Sequence, residues 1–90
     1  METSRIAWKE LQRFFASGAA VKVSTKLDLL EVALQMHDDN KNQFENWLAN
    51  GMIGKVADEQ AASWLAADTE LWAVVVSPWV LVQEIRETGK

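Results

Sequence analysis

The hydrophobic positions of this 90-residue chain fall into short runs with two different periods. Trp8, Leu11 and Phe15 recur at helical spacing with Ala7 and Phe14 beside them, while Lys9, Glu10, Gln12 and Arg13 fall on the other side. This pattern predicts an amphipathic helix, capped by Thr3 or Ser4 and stopped at Gly18, a residue suited to the left-handed position past a helix end. Between Ala19 and Ser24 the period drops to two. Val21 and Val23 alternate with Lys22 and Ser24, which predicts a strand.

Two signals disagree over Leu27 to His37. The residue types (Leu, Glu, Ala, Gln, Met) favour helix by propensity. The pattern favours strand, because Leu30, Val32, Leu34 and Met36 alternate with Glu31, Ala33, Gln35 and His37. Taking period as the deciding signal predicts a strand over 29–36, paired with 19–24 as a hairpin. A loop from Thr25 to Asp28 then sets Val21 opposite Val32, Val23 opposite Leu30 and Lys22 opposite Glu31. Opposite charges and matched β-branched faces favour that register.

Asp38, Asp39 or Asn40 caps a second predicted helix with Phe44, Trp47 and Leu48 as its apolar stripe, ending at Asn50-Gly51. Met52 to Val56 reads as a short extended link. Asp58 then caps a third helix to about Ala67, with Ala61, Trp64 and Leu65 facing inward. Leu71 to Val76 is nearly all apolar and predicts a strand buried on both faces or placed centrally. Pro78 has no amide to donate, so it marks a strand end, an edge or a bulge. Trp79 to Glu84 reads as a further extended piece and 87–90 as a frayed tail.

These elements predict one α+β domain over residues 1–90, structured from about 4 to 84. It has two layers, a small, mainly antiparallel sheet of three or four strands with about three helices packed mostly on one face. The expected core joins Val21, Val23, Leu30, Val32, Leu34, Trp72, Val74 and Val76 to Trp8, Leu11, Phe15, Phe44, Trp47, Leu48, Trp64 and Leu65.

Composition narrows the function classes. A chain of this length buries roughly two thirds of its unfolded surface, which leaves little core around a deep active-site cavity. With 49% hydrophobic residues it has the apolar surface that a disordered chain lacks. The net charge is −4 and the nine basic residues are scattered, so the clustered basic face that nucleic-acid binding needs is not expected. The absence of cysteine excludes disulfides and thiolate chemistry and fits a reducing compartment. METSRIAWKE has no apolar leader core, and Leu71 to Val82 is shorter than the about twenty residues of a membrane helix. The expected setting is the cytoplasm, with neither nucleic acid nor membrane as partner.

Four segments carry a family resemblance: LDLLEVAL, the helix end WLANG, GKVADEQAASW and the closing WAVVVSPWVLVQE. In that order they resemble a family of small bacterial proteins known as domain of unknown function 2288, over about Trp8 to Glu84. The resemblance implies a bacterial, cytoplasmic setting. Relatives richer in valine and isoleucine at LDLLEVAL imply a strand there. It implies no activity, substrate, cofactor or catalytic residue.

The candidate chemistry is sparse. His37 with Asp38 and Asp39 offers one imidazole and two carboxylates to a divalent metal, against the ordinary reading that the carboxylates cap the next helix. Asp28 and Glu31 as a carboxylate pair are outweighed by a turn role for Asp28 and pairing of Glu31 with Lys22. Lys55 near Gly51 and Gly54 lacks phosphate-loop spacing. Trp8, Trp47, Trp64 and Trp72 read as core, and core packing is also the favoured reading of Trp79. Two surfaces remain. The outer sheet face, with Lys22, Ser24, Glu31, Ala33, Gln35 and His37 and, from the last strand, Ala73, Val75 and Ser77, reads as solvated, as packed on a partner, or as a shallow ligand site in which Lys22, Glu31, Gln35 and His37 bind a small molecule, or His37 and Asp38 a metal. The segment Trp79, Val80, Leu81 and Val82 is an apolar edge suited to a homodimer. The leading expectation is a non-enzymatic interaction or regulatory domain that self-associates, without a cofactor. The alternative is a small-ligand or divalent-metal-binding domain.

Overall fold

The computed structural model describes residues 3–85. The expected fraying of 87–90 lies outside them. In chain order the elements are β1 (Ser4–Ala7), α1 (Trp8–Ala16), β2 (Ala20–Val23), α2 (Leu29–His37), α3 (Lys41–Ala49), β3 (Ile53–Lys55), α4 (Asp58–Ala66), β4 (Glu70–Val76) and β5 (Trp79–Glu84). The fold is α+β, with one sheet of spatial order β1-β4-β5-β2-β3. β1–β4, β4–β5 and β2–β3 run antiparallel and β2–β5 parallel, so the sheet is mixed.

The segment over 29–36 is the main correction. It is helix α2, and the expected hairpin with 19–24 does not exist. Asp28 caps it, its side chain accepting from the Leu30 amide at 3.0 Å. The buried residues are Leu29, Val32 and Ala33, with Met36 partly buried, a helical stripe that the alternation had hidden. Leu30 and Leu34, taken for core, stand 41% and 48% exposed. Propensity and cap therefore outweighed a period-two pattern that counted two surface leucines as buried. The strand implied here by the family resemblance is overturned with it. β2 pairs instead with β5 (Val21↔Leu81) and β3 (Val21↔Lys55).

Two short edge strands were missed. Ser4–Ala7 pairs with β4 (Ile6↔Leu71), so α1 starts from Ala7 without a side-chain cap and not from Thr3 or Ser4. Ile53–Lys55 is β3, not merely a link. Asp58 is the first residue of α4, whose cap position is Ala57. The ends of the other predicted helices agree with expectation. Gly18 (φ 81°) follows α1 and Gly51 (φ 74°) follows α3, both in the left-handed region that glycine tolerates. Pro78 sits with Ser77 in the turn between β4 and β5.

Helices cover both faces, giving three layers and not two. On one face, Trp8, Leu11, Ala61 and Trp64 from α1 and α4 meet Ala20, Leu71, Ala73, Val80 and Val82. Trp8 stands edge-on to Trp64 at 5.0 Å and to Phe15 at 5.6 Å between centroids. Each such pair stabilises by roughly 0.5–1.5 kcal/mol beyond its area burial. On the other face, Leu29, Val32 and Ala33 of α2 meet Val21, Val23, Ile53, Val74 and Leu81. Both faces being buried explains why β4 and β5 read as continuous apolar runs. It also removes the outer polar face expected at Ala33 and Ala73, which are both buried, while Leu65, expected inside, is exposed.

Candidate functional site: an apolar cleft and a polar crevice

α3 has no fully buried residue. Its placement follows from a tight link. α2 closes at Asp38, Asp39 takes a left-handed φ of 60°, and Asn40 caps α3 by accepting from the Gln43 amide at 3.3 Å. The Asn40 amide also donates to Gln35 Oε1 at 2.6 Å, tying the new helix to the old one. Phe44 and Trp47 then pack on the second core, while Leu48 is 46% exposed.

The sheet is incompletely covered beneath this helix. An open cleft of about 440 Å³ remains, walled by Val21, Met36, Phe44, Leu48, Val76 and Trp79, with Lys41, Glu45 and Lys55 at its rim. That volume lies within the usual range for small-ligand sites, and apolar walls with a polar rim are their usual make-up. Trp79 is 40% exposed, against the expectation that it packs in the core. It opens β5 directly after the turn. Val75, on the opposite face of the same hairpin end, is 63% exposed.

A second concavity lies at the other end of β5. Its crevice of about 320 Å³ is bordered by Lys22, Ser24, Thr25, Gly54 and Glu84 among others, and Gly54 and Lys55 border both hollows along the β3 edge. Lys22 Nζ donates to Gln60 Oε1 at 3.1 Å and lies 5.7 Å from the Trp64 ring centroid. The Trp64 indole donates to Glu84 Oε2 at 3.2 Å. Gln83 donates to the carbonyls of Ser24 and Leu27, both at 2.7 Å, and so fixes the loop from β2 to α2.

The residues expected to form one ligand site are divided by this arrangement. Lys22 faces α4, because Val21 and Val23 point into the α2 core and the side chain between them must point the other way. Glu31 and Gln35 lie on α2, on the far side of the sheet, where Gln35 Nε2 donates to Glu31 Oε2 at 2.8 Å. His37 and Asp38 end α2 at the surface, Asp38 as its cap. Among the described residues no three His, Asp or Glu side chains gather to hold a metal. The expected apolar edge is likewise not an edge. β5 lies between β4 and β2, so Val80, Leu81 and Val82 are buried and Trp79 alone of the four reaches the surface.

Sequence reasoning missed the grouping of Lys22 with Gln60, Trp64 and Glu84, which depends on the parallel pairing of β2 with β5. One signal was available: Gly54 lies inside an extended run, where glycine weakens a strand and asks for a reason.

The sequence matches a family model described as "Protein of unknown function (DUF2288)" over residues 1–84. A solved structure, the NMR solution structure of PA1075 from Pseudomonas aeruginosa, is similar at 45% identity and a TM-score of 0.87, covering 99% of this chain and 82% of that one. No curated protein matches. Among the described residues no helix is long and apolar enough to cross a membrane.

Proposed function

The chain belongs to the DUF2288 family of proteins of unknown function, and we propose that it is a non-enzymatic interaction domain that self-associates through the apolar hairpin end and the cleft beside it. The observation that carries this reading is Trp79, 40% exposed on the lip of a 440 Å³ apolar cleft. Large aromatic side chains half in water beside an apolar hollow are the anchors that protein contacts bury. A two-fold contact uses the same patch twice, so the hairpin end of one copy enters the cleft of the other and both Trp79 rings are covered. The cysteine-free composition supports a cytoplasmic setting for this assembly.

Mixing labelled with unlabelled protein tests it through isotope-filtered NOEs. Contacts between copies from the Trp79 ring to Phe44 or Leu48 are the expected result. Saturating concentrations that yield no such contacts would contradict the reading.

A second reading, a small apolar molecule held in the same cleft, draws its support from the cleft volume. Such a ligand raises the melting temperature of a monomer without changing its mass.

A further inference from the structure

From the other end of the sheet we infer a second, separate binding site, independent of the self-association reading: the crevice at Lys22, Gly54 and Glu84 takes a small zwitterion of the α-amino-acid type. Lys22 is half-buried, and its ammonium meets a neutral amide oxygen and an aromatic face, not a carboxylate. Among the described residues the ion pair present is Arg5–Glu70, at the surface. Glu84 is half-buried too and, among the described residues, accepts from the Trp64 indole alone. Charges withdrawn from water are normally paired, and here the half-buried Lys22 and Glu84 face the same hollow without touching each other, while Lys55 at its border is exposed.

Register explains why they are held apart. Lys22 lies opposite Val82 on the neighbouring parallel strand, and Glu84 is two residues further along, on the same face. Trp64 packs between them, reached by the ammonium on its face and by the carboxylate at its nitrogen. Both strands end here, so the crevice lies outside the carboxyl ends of the one parallel pair among the described strands, the position that ligands take at the switch point of open α/β sheets.

Gly54 is the second, independent observation. It pairs with Lys22 across β2 and β3. Its φ is not positive, and a Cβ built on it meets nothing within 4 Å. Neither backbone conformation nor packing requires glycine at a strand position where glycine is destabilising. A side chain there would project on the Lys22 side and narrow the crevice, so the open space has a use. The ligand that fits presents a carboxylate to Lys22 and an ammonium to Glu84, each a charge-assisted hydrogen bond. A simple anion meets Lys22 but is repelled by Glu84, and a simple amine meets the reverse.

The test is a titration of ¹⁵N-labelled full-length protein with L-serine, acetate and methylammonium in turn. L-serine is expected to move the Gly54 and Thr25 amides and the Trp64 indole N–H saturably, with acetate and methylammonium each at least about tenfold weaker, since each makes one of the two charged bonds. Gly54→Val is expected to keep the melting temperature, a β-branched residue suiting a strand, and to lose the L-serine response. Lys22→Met is expected to lose it as well. No saturable response to L-serine, equal binding of acetate, or an unchanged response in Gly54→Val would each overturn the assignment.

Discussion

The two helical layers of this domain differ in how they treat their aromatic residues. In the α1/α4 layer, Trp8 and Trp64 are 0% and 3% exposed and lock edge-to-face against each other. In the α2/α3 layer, Phe44 and Trp47 are only partly buried, Leu48 is at the surface and Trp79 stands open beside a cleft. The same sheet separates them, and β4 and β5 contribute to both. The contrast shows that apolar content in a small chain is divided between holding the fold and presenting a surface. Both layers bury a full set of aliphatic side chains, but the first also buries its large aromatics while the second leaves apolar area at the surface.

The contrast can be broken most forcefully at Trp8. Trp8→Ala is expected to cost about 3–5 kcal/mol in urea unfolding, a large share of what a domain this size has. Trp8→Phe is expected to cost clearly less, because the Trp8 Nε1 has no hydrogen-bond partner to lose among the described residues. Phe44→Ala, in the open layer, is expected to cost about 1 kcal/mol, the ordinary value for a point change. If it matched Trp8→Ala, the layers would not differ. Hydrogen exchange sharpens the same point, since the α3 amides are expected to exchange before those of α1 and α4. Asp28→Ala removes the cap of α2 and is expected to cost about 1 kcal/mol. Leu34→Glu is expected to stay within about 0.5 kcal/mol, as a surface change. A loss of several kcal/mol there would restore the buried-strand reading of 29–36.

α1, α3, α4, β2 and β4 were readable because each has one dominant period and a recognisable stop, such as Gly18, Gly51 or Pro78. The α2 segment was misread because Leu30 and Leu34 are apolar but exposed, and a pattern records residue type, not burial. β1 and β3 were missed because four and three residues carry too little periodicity. The parallel pairing of β2 with β5 joins segments far apart in sequence, and no local pattern specifies it. Together with the helix at 29–37, that pairing takes the candidate site apart. It buries Val80 to Val82, carries Lys22 to the α4 side away from Glu31, Gln35 and His37, and leaves Trp79 as the exposed member of its segment.

Self-association through Trp79 is tested by sedimentation velocity over a dilution series, run on wild type and on Trp79→Ser. The wild-type chain is expected to sediment as a dimer at micromolar concentration and to dissociate on dilution, while Trp79→Ser is expected to stay monomeric with its melting temperature within a few degrees of wild type. A wild-type chain that remains monomeric throughout, or a Trp79→Ser variant that dimerises as well as wild type, would contradict it.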